Sequence, residues 1–439
     1  MKFYDREEEL EILRDTALKS KEQAQFTVLT GRRRIGKTTL MLRAFEQETM
    51  LYFFVARKAE QDLCIDFATE MEQKLGMPIV GTPKSFASLF EALMKVAENR
   101  PFTLVIDEFQ EFLRVNPAIF SEIQRVWDLY KGRSRINLVA SGSIYRLMTQ
   151  IFSNRNEPLY SRQTRMLTVM PFTTSVLKQI LKDYKPNYMP EDLLTLYALT
   201  GGVAKYVETL MDAGATSPKQ MIAEVVRKDS IFLNEGKFLL LEEFGKDYNT
   251  YFSILSAIAS GNTSRAEIED LIGKEIGGYL TNLENDYGLI AKKLPMFQAS
   301  TNKNVKYQVI DMFLSFWFRF LYKYNYILEI QAYEQLRKII ERDLSTFQGI
   351  ALEHYFRAKL MEGQQCTRIG GWWDRRTENE IDIIAANDLD RWANFYEVKR
   401  NPSRYDEGAL LSKIDIFLKS TRQFQGYRLS HDCLSLPDM

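Results

Sequence analysis

The sequence predicts an α/β protein built around a parallel sheet, followed by mainly helical segments and a second α/β region near the C-terminus. Three observations predict it. Short apolar runs alternate with helical stretches through the first 172 residues, a glycine-rich loop follows the first of these runs, and two more strand-like segments lie near the end. We divide the 439 residues into predicted domains at 1–172, 173–245, 246–334 and 335–439.

Composition limits the class of protein. Hydrophobic residues make up 45% and charged residues 26%, as in globular proteins that fold in water. The formal net charge is zero, so any nucleic-acid surface must be a local patch. The three cysteines lack the paired spacing of a zinc site or a disulfide framework, and no apolar run is long enough to cross a membrane. We expect a cytoplasmic protein without a membrane partner.

The first motif is "FTVLTGRRRIGKTTL", in which a β-prone run leads through G-x-x-x-x-G-K-T into a helical stretch. Glycines let the backbone curl so that its N–H groups point at phosphate oxygens. We expect Lys37 to reach the β- and γ-phosphates and the Thr38 hydroxyl to bind Mg²⁺. The predicted nucleotide-binding residues are Gly31, Arg32, Arg33, Arg34, Ile35, Gly36, Lys37, Thr38 and Thr39.

Such a site needs an acid at the end of a neighbouring buried strand, and "FTLVIDEFQEFL" supplies one. Asp107 is predicted to hold the metal, and Glu108 to act as the base that polarises the attacking water. A third strand-like run, "INLVASGS", places Ser141 or Ser143 at a strand end facing the phosphates. Its pattern alone does not choose between a functional serine and a simple turn.

A resemblance rests on "FYDREEEL", "GRRRIGKTTL", "LVIDEFQ", "LVASGS", "LYSRQTRMLTVMPF" and "GGVAKYV", taken in that order. Over about residues 1 to 240 the chain resembles archaeal and bacterial AAA-type P-loop ATPases of the signal-transduction-like branch. The resemblance implies ATP and Mg²⁺ as ligands and a helical lid. It implies that Tyr4 and Arg6 lie near the adenine, that Ser141 rather than Ser143 is the first sensor, and that Arg162 points at phosphate. Ala204 stands where such proteins often have proline.

Residues 251–295 read as three helices followed by a strand, an order that resembles a winged helix-turn-helix. The predicted recognition helix, Gly277–Asp286, carries no lysine or arginine, although Lys292 and Lys293 lie on the predicted wing. A helix that reads DNA exposes Arg, Lys, Asn or Gln, whereas this one offers Thr281, Asn282, Glu284 and Asp286. We therefore favour a scaffold or partner-docking role for this module, with direct DNA contact as the alternative.

Near the end, "ENEIDIIAANDLDRWANFYEVKR" predicts a hairpin that carries acids and a base. Asp382 lies on one strand, and Glu397 and Lys399 share a face of the next because side chains alternate along a strand. Two carboxylates placed this way can share Mg²⁺ or Mn²⁺, with the lysine stabilising negative charge. With Glu353 on a preceding helix, the set resembles the PD-(D/E)xK nuclease core and the C-terminal domain that accompanies this ATPase family, which implies Glu353 as a further metal ligand. A solvated charged hairpin or an inactive fold is the alternative.

The leading hypothesis is an ATPase whose nucleotide state controls a C-terminal metal-dependent nuclease-like domain acting on DNA. Two alternatives remain open. One is a nucleotide-switched signalling or assembly ATPase whose inactive C-terminal domain binds a protein partner. The other is an ATP-driven regulator that binds DNA through Lys292 and Lys293.

Overall fold

A computed structural model of the chain describes residues 1–76, 83–244, 248–298 and 304–439. They form two compact units. One comprises residues 5–170, and the other combines residues 1–4 with residues 171–439.

The unit of residues 5–170 is built on a five-stranded sheet in which all strands are parallel. The strand order is β2-β3-β4-β1-β5. Both central strands β3 and β4 are fully buried, as continuous apolar runs require in a sheet covered on two faces. Because the strands are parallel, their carboxyl ends meet at one edge, where the loops that follow them converge. The strands are β1 (Gln25–Thr30), β2 (Met50–Phe54), β3 (Phe102–Asp107), β4 (Ile136–Ser141) and β5 (Arg165–Thr168).

Seven α-helices in the described part of this unit cover the sheet. The apolar core beneath them includes stacked aromatics such as Phe53 and Phe67, whose ring centroids are 4.2 Å apart. The helices are α1 (Glu7–Ser20), α2 (Lys37–Ala44), α3 (Glu60–Leu75), α4 (Phe86–Val96), α5 (Phe112–Val115), α6 (Ala118–Tyr130) and α7 (Tyr145–Ser153). The expected α/β class with a parallel sheet is confirmed.

The other unit begins with a helical segment. Thr173 caps its first helix by accepting a hydrogen bond from the N–H of Val176, and Gly201, with φ of 56°, ends the second. The helices are α8 (Thr174–Tyr184), α9 (Pro190–Thr200), α10 (Ala204–Asp212), α11 (Pro218–Val225) and α12 (Phe232–Phe244).

Three helices and an antiparallel strand pair follow. The N-cap of α14 is Ser264, which accepts from the N–H of Glu267 at 3.3 Å, while the Glu267 carboxylate accepts from the N–H groups of Thr263 and Ser264. The elements are α13 (Tyr248–Ala259), α14 (Arg265–Ile272), α15 (Gly277–Asn285), β6 (Ile290–Lys293) and β7 (Lys306–Val309).

The aromatic stretch after β7 is helical and mostly buried. It comprises α16 (Met312–Phe316) and a π-helical turn (Trp317–Tyr322), followed by α17 (Asn325–Glu329) and the long α18 (Tyr333–Glu362). No helix among the described residues is both long and apolar enough to span a membrane.

A four-stranded mixed sheet completes this unit in the order β11-β10-β9-β8. The β9–β10 pair is the predicted hairpin, β8 is antiparallel to β9, and β11 is parallel to β10. Apolar residues of β9, β10 and α19 form its core. The elements are β8 (Arg368–Trp373), β9 (Glu380–Asn387), β10 (Trp392–Lys399), α19 (Glu407–Ser420) and β11 (Arg428–Ser435).

Candidate functional site

The loop between β1 and α2 makes a tight turn at the carboxyl edge of the parallel sheet. Gly31 and Gly36 have φ of 146° and 96°, values that side-chain-bearing residues rarely adopt. A Cβ atom on Gly31 would lie 2.8 Å from the carbonyl oxygen of Val169, which follows β5. Glycine at position 31 therefore lets the loop pass close to that backbone. The N-terminus of α2 follows directly, so the loop has the form of an anion site.

The Lys37 ammonium lies inside this loop. Its Nζ donates to the carbonyl oxygens of Gly31 at 2.8 Å and Arg32 at 3.1 Å. Burial lowers the pKa of Lys37 to about 8, while the carboxylates of Glu108 and Asp107 act in the opposite direction. This ammonium already has little water around it. The desolvation of Lys37 therefore costs little when a phosphate oxygen binds it in the loop.

The other predicted residues of the loop flank Lys37 in the sequence and differ in exposure. Ile35 is buried in the unit, whereas Thr39 is exposed on the first turn of α2. Arg34 adopts a left-handed conformation with φ of 69°, and Arg32 and Arg33 are partly exposed.

A threonine and an aspartate meet beside the loop. The Thr38 hydroxyl donates to Oδ2 of Asp107 at 3.1 Å, and the Tyr52 hydroxyl donates to the same oxygen at 2.5 Å. Asp107 is buried at the end of β3. A hydroxyl and a carboxylate are hard oxygen donors, and Mg²⁺ characteristically takes one or two such protein ligands together with phosphates and water. The donor set therefore fits Mg²⁺ as part of a nucleotide complex.

Glu108 adjoins this pair in a strained conformation. Its φ of 54° and ψ of 42° place it in the left-handed region, which is uncommon for a residue with a side chain. The Ser143 hydroxyl donates to its carboxylate at 2.7 Å, and the Gln110 amide donates to the same oxygen. These two bonds hold the carboxylate of the candidate base in one orientation.

The two strand-end serines have different environments. Ser141, the last residue of β4, is opposite Leu29 of β1, and its hydroxyl is buried without a hydrogen-bond partner among the described residues. Ser143 lies two residues further and bonds Glu108. Ser141, which the resemblance favoured, and Ser143 thus both lie at the phosphate edge, but only Ser143 contacts the candidate base.

Arg162 is at the opposite edge of the sheet, which corrects the expectation that it points at phosphate within this chain. Its guanidinium bonds Asp128, near the end of α6, at 3.2 and 3.3 Å. Two residues later, the N–H of Thr164 donates to the carbonyl oxygen of Phe26, at the start of β1. The six residues of β1 separate this edge from the phosphate loop by roughly 20 Å.

The two residues expected near the adenine lie in different units. Arg6 is buried with φ of 82° and donates to the carbonyl oxygen of Met170 at 2.7 Å. Met170 follows β5, so Arg6 lies at the same sheet edge as the phosphate loop. Tyr4 belongs to the other unit, where its hydroxyl donates to Asp183 at 2.9 Å.

In the other unit, Asp382 and Glu397 occupy neighbouring strands of the predicted hairpin. Oδ2 of Asp382 accepts from the N–H of Val398 at 2.8 Å. The pKa of Asp382 is raised to about 7, chiefly by burial and in smaller part by the carboxylates of Glu353 and Glu397, against the lowering effect of this hydrogen bond and of Lys399. The Asp382 carboxyl is therefore not fully ionised near neutral pH.

The Glu397 carboxylate is paired with two lysines. Lys399 lies 2.7 Å away, and Lys413 of α19 lies 3.0 Å away. Burial alone would raise the pKa of Glu397, but the two ammonium groups outweigh it and hold the pKa below its usual value. The structure thus brings together Asp382, Glu397 and Lys399, as predicted from the spacing.

Glu353 of α18, which the resemblance implied as a further metal ligand, is held by cations. Its carboxylate pairs with Arg357 at 3.0 Å and with Lys293 of β6 at 3.5 Å. Within the described ranges, no three Asp, Glu, His or Cys side chains are gathered closely enough to hold a metal ion.

Sequence reasoning missed several residues of both sites. Tyr52 and Gln110 contact the two acids of the nucleotide site, and Lys413 completes the pair on Glu397. No motif spacing marks Tyr52 and Lys413, because β2 and α19 reach these sites only through the fold. Gln110, in contrast, lies two residues after Glu108 in the quoted segment. Residue type was the one available signal. A polar group in an otherwise apolar segment is usually buried, and buried polar groups usually have a hydrogen-bond partner.

Two family models match separate parts of the chain. Residues 3–210 match an ATPase domain found predominantly in Archaea, and residues 317–409 match a domain of archaeal and bacterial proteins of unknown function. An uncharacterised protein of Methanocaldococcus jannaschii is 29% identical over 407 residues, covering 90% of this chain and 87% of that protein.

Two solved structures share the fold. The Walker-type ATPase of Pyrococcus abyssi is 18% identical with a TM-score of 0.54, covering 72% of this chain and 96% of its own. The Aeropyrum pernix ORC2 protein is 16% identical with a TM-score of 0.52, covering 78% and 96%. These two likenesses show the fold. The family match over residues 3–210, together with the loop geometry, supports a P-loop ATPase domain in this part of the chain, with ATP binding and hydrolysis as its activity.

Proposed function

We propose that this protein hydrolyses ATP with Mg²⁺ and that its nucleotide state controls a metal-dependent nuclease centre near the C-terminus that acts on DNA. One observation carries the first part. Lys37, the Thr38–Asp107 pair and Glu108 converge on one edge of the parallel sheet, where an anion loop meets a hard-oxygen donor set.

Each side chain has a distinct task in the proposed hydrolysis. Lys37 holds the β- and γ-phosphates, while Thr38 and Asp107 would hold Mg²⁺, which neutralises charge on the phosphate oxygens. Glu108 orients a water molecule and accepts its proton. The water oxygen bonds to the γ-phosphorus as the bond to the β–γ bridging oxygen breaks, giving ADP and phosphate.

Two variants test these tasks separately. Lys37→Ala is expected to lose ATP binding, because the loop then has no ammonium for the phosphates. Glu108→Gln is expected to bind ATP normally and to turn over about 100-fold more slowly or worse. Lys131→Ala, which removes a surface lysine paired with Asp128, is the matched control. A Lys37→Ala protein that bound and hydrolysed ATP like wild type would refute the proposed site.

The second part of the proposal is supported by the hairpin cluster. Asp382, Glu397 and Lys399 give two carboxylates and an ammonium on adjacent strands, groups that could hold a divalent cation and stabilise negative charge in phosphodiester cleavage. A divalent cation favours ionised carboxylates, so its binding would oppose the burial that keeps Asp382 partly protonated.

Coupling between nucleotide and hairpin is supported by the helical segment. In the unit that contains the helical segment and the hairpin, the N–H and hydroxyl of Thr174 donate to Glu362 of α18 at 2.6 and 2.9 Å. Arg400, directly after β10, bonds both carboxylate oxygens of Glu191 on α9 at 2.7 and 2.8 Å. If nucleotide binding moves α8 and α9, these bonds transmit the movement to α18 and to the end of β10.

A cleavage assay tests the nuclease. The wild-type chain with Mg²⁺ or Mn²⁺ is expected to cleave DNA at a rate that changes with ATP, and Asp382→Ala and Lys399→Ala are expected to abolish cleavage. Asp415→Ala, on the exposed surface of α19, is the control for changed surface charge. Cleavage that survives both site changes would belong to a contaminant or to another site.

A second function, a signalling or assembly ATPase with an inactive partner-binding C-terminal domain, is favoured by one observation. Lys399 and Lys413 already form ion pairs with Glu397, and Arg357 and Lys293 form ion pairs with Glu353. ATP-dependent changes in oligomeric state without cleavage by either metal would select it. Lys293 also argues against a DNA regulator that uses the β6–β7 pair. Its side chain is 28% exposed and is paired with Glu353, so little of it is open to a DNA phosphate.

A further inference from the structure

Tyr52 reaches the metal-side acid from a neighbouring strand. On β2 it is opposite Val105 of β3, two residues before the position opposite Asp107. Its half-buried side chain extends toward the carboxyl edge of the sheet, and its hydroxyl lies 2.5 Å from Oδ2 of Asp107. Its neighbour Phe53 points the other way, into the apolar core.

This bond completes a set of three donors around one carboxylate. Oδ2 of Asp107 accepts from Tyr52 and from the Thr38 hydroxyl, and Oδ1 accepts from the N–H of Glu108 at 3.0 Å. A carboxylate held at both oxygens has little freedom to rotate. Outer partners of this kind orient metal-site ligands and are worth about 10- to 100-fold in metal affinity.

We propose that Tyr52 is a positioning residue for the divalent cation of the ATP site. It fixes the Asp107 carboxylate where that group and Thr38 can hold the cation and its water. A phenol, with an ordinary pKa near 10, remains a donor at neutral pH. Packing alone would be satisfied by phenylalanine at this position, so the hydroxyl is the informative part. The proposal rests on the proposed role of Asp107 in metal binding.

The test compares metal affinity with nucleotide affinity. In Tyr52→Phe, Mn²⁺ binding in the presence of a non-hydrolysable ATP analogue, measured by electron paramagnetic resonance, is expected to weaken about tenfold. Binding of a fluorescent ATP analogue in EDTA is expected to stay within about twofold, because the phosphate loop is untouched. Tyr130→Phe is the matched control, since its phenol bonds Glu91 at 2.8 Å elsewhere in the same unit.

An Asp107→Asn variant separates the two claims. If Asp107→Asn weakens Mn²⁺ binding and Tyr52→Phe does not, Tyr52 has no positioning role. If Asp107→Asn also leaves Mn²⁺ affinity unchanged, the proposed metal role of Asp107 fails. Equal loss of metal and nucleotide affinity in Tyr52→Phe would show a general disturbance of the unit and would overturn the inference.

Discussion

The Ser143 hydroxyl lies 2.7 Å from a carboxylate oxygen of Glu108, so the chain after β4 orients the candidate general base. Ser143→Ala removes a hydrogen bond to a charged group, typically worth about 1.5 to 3 kcal/mol. We expect the kcat for ATP hydrolysis to fall about 10- to 100-fold while ATP binding is retained. Steady-state hydrolysis and equilibrium nucleotide binding measure the two effects.

Ser141→Ala provides the comparison. The Ser141 hydroxyl has no hydrogen-bond partner among the described residues, so its loss is expected to reduce kcat less than the loss of Ser143. The reverse order would assign the sensor role to Ser141, as the family resemblance implied.

The two serines show how far sequence reasoning extends. Lys37, Thr38 and Asp107 were predictable because a short motif and a strand end place them, and local spacing determines both. The Ser143–Glu108 bond depends on β3 and β4 being neighbours, which no spacing in the sequence states. Strand register likewise decides Arg162, because Thr164 pairs with the start of β1 and keeps this arginine away from the loop.

The C-terminal sheet follows the same rule. Period-two alternation predicted that Glu397 and Lys399 share a face, and they form an ion pair. Lys413 comes from a helix whose docking depends on the whole core, so the pattern did not reveal it. Arg357, in contrast, lies four residues after Glu353 on α18, a spacing at which side chains of one helix pair. The partners that come from other elements, Lys413 on Glu397 and Lys293 on Glu353, could therefore not be predicted, although they affect how these acids behave.

Two helix-interior glycines should respond oppositely to the same substitution. A Cβ on Gly236 of α12 would lie 2.8 Å from Cε2 of the Trp317 indole, so Gly236→Ala is expected to destabilise the fold by about 1 to 3 kcal/mol. Gly349 of α18 is exposed, and its Cβ would meet nothing within 4 Å. Gly349→Ala should therefore stabilise by about 0.5 to 1 kcal/mol.

Urea unfolding, followed by circular dichroism, measures both changes. A Gly236→Ala protein as stable as wild type would mean that α12 can move away from the indole at little cost.

The buried His354 should make stability depend on pH. Its Nδ1 is 2.5 Å from the Tyr197 hydroxyl. Burial lowers the pKa of His354 to about 4, with Lys293 adding to the effect. Because the unfolded imidazole has a pKa near 6.5, the unfolded state binds more protons between pH 6.5 and 4. Stability is thus lost as pH falls through this window, by up to about 3 kcal/mol.

A comparison of variants separates the contribution of His354 from that of the carboxylates, which titrate in the same pH range. The wild-type loss of stability between pH 6.5 and 4 should be larger than that of His354→Gln. The second histidine, His431, pairs with Glu407 near the surface, and His431→Gln is the matched control. Identical pH profiles for wild type and His354→Gln would show that the buried imidazole is not neutral in the fold.

Asp382 should cost the folded protein stability at neutral and alkaline pH. Its pKa is raised to about 7 by burial, against about 3.9 in an unfolded chain, so the folded state holds the proton more tightly. The contribution of Asp382 to the free energy of unfolding therefore declines as pH rises from 4 to 7, and it stays low at higher pH. Asp382→Asn keeps an oxygen for the N–H of Val398 and removes the charge. It should be more stable than wild type at pH 8, by up to about 4 kcal/mol, and about equal at pH 4.

Asp388→Asn is the control with the opposite sign. This carboxylate pairs with Arg368 at 2.6 Å and accepts from the Tyr427 hydroxyl, and although burial opposes them, these partners hold its pKa below the usual value. Its stabilising contribution is present above the unfolded pKa and is lost in acid, so Asp388→Asn should be less stable than wild type at pH 8.

Thermal unfolding at pH 8 and pH 4 compares the two variants. If Asp382→Asn were destabilised at pH 8, the buried carboxylate would have to be stabilised by its surroundings. Asp382 would then be a structural ion-pair partner instead of an acid kept at a cost for chemistry.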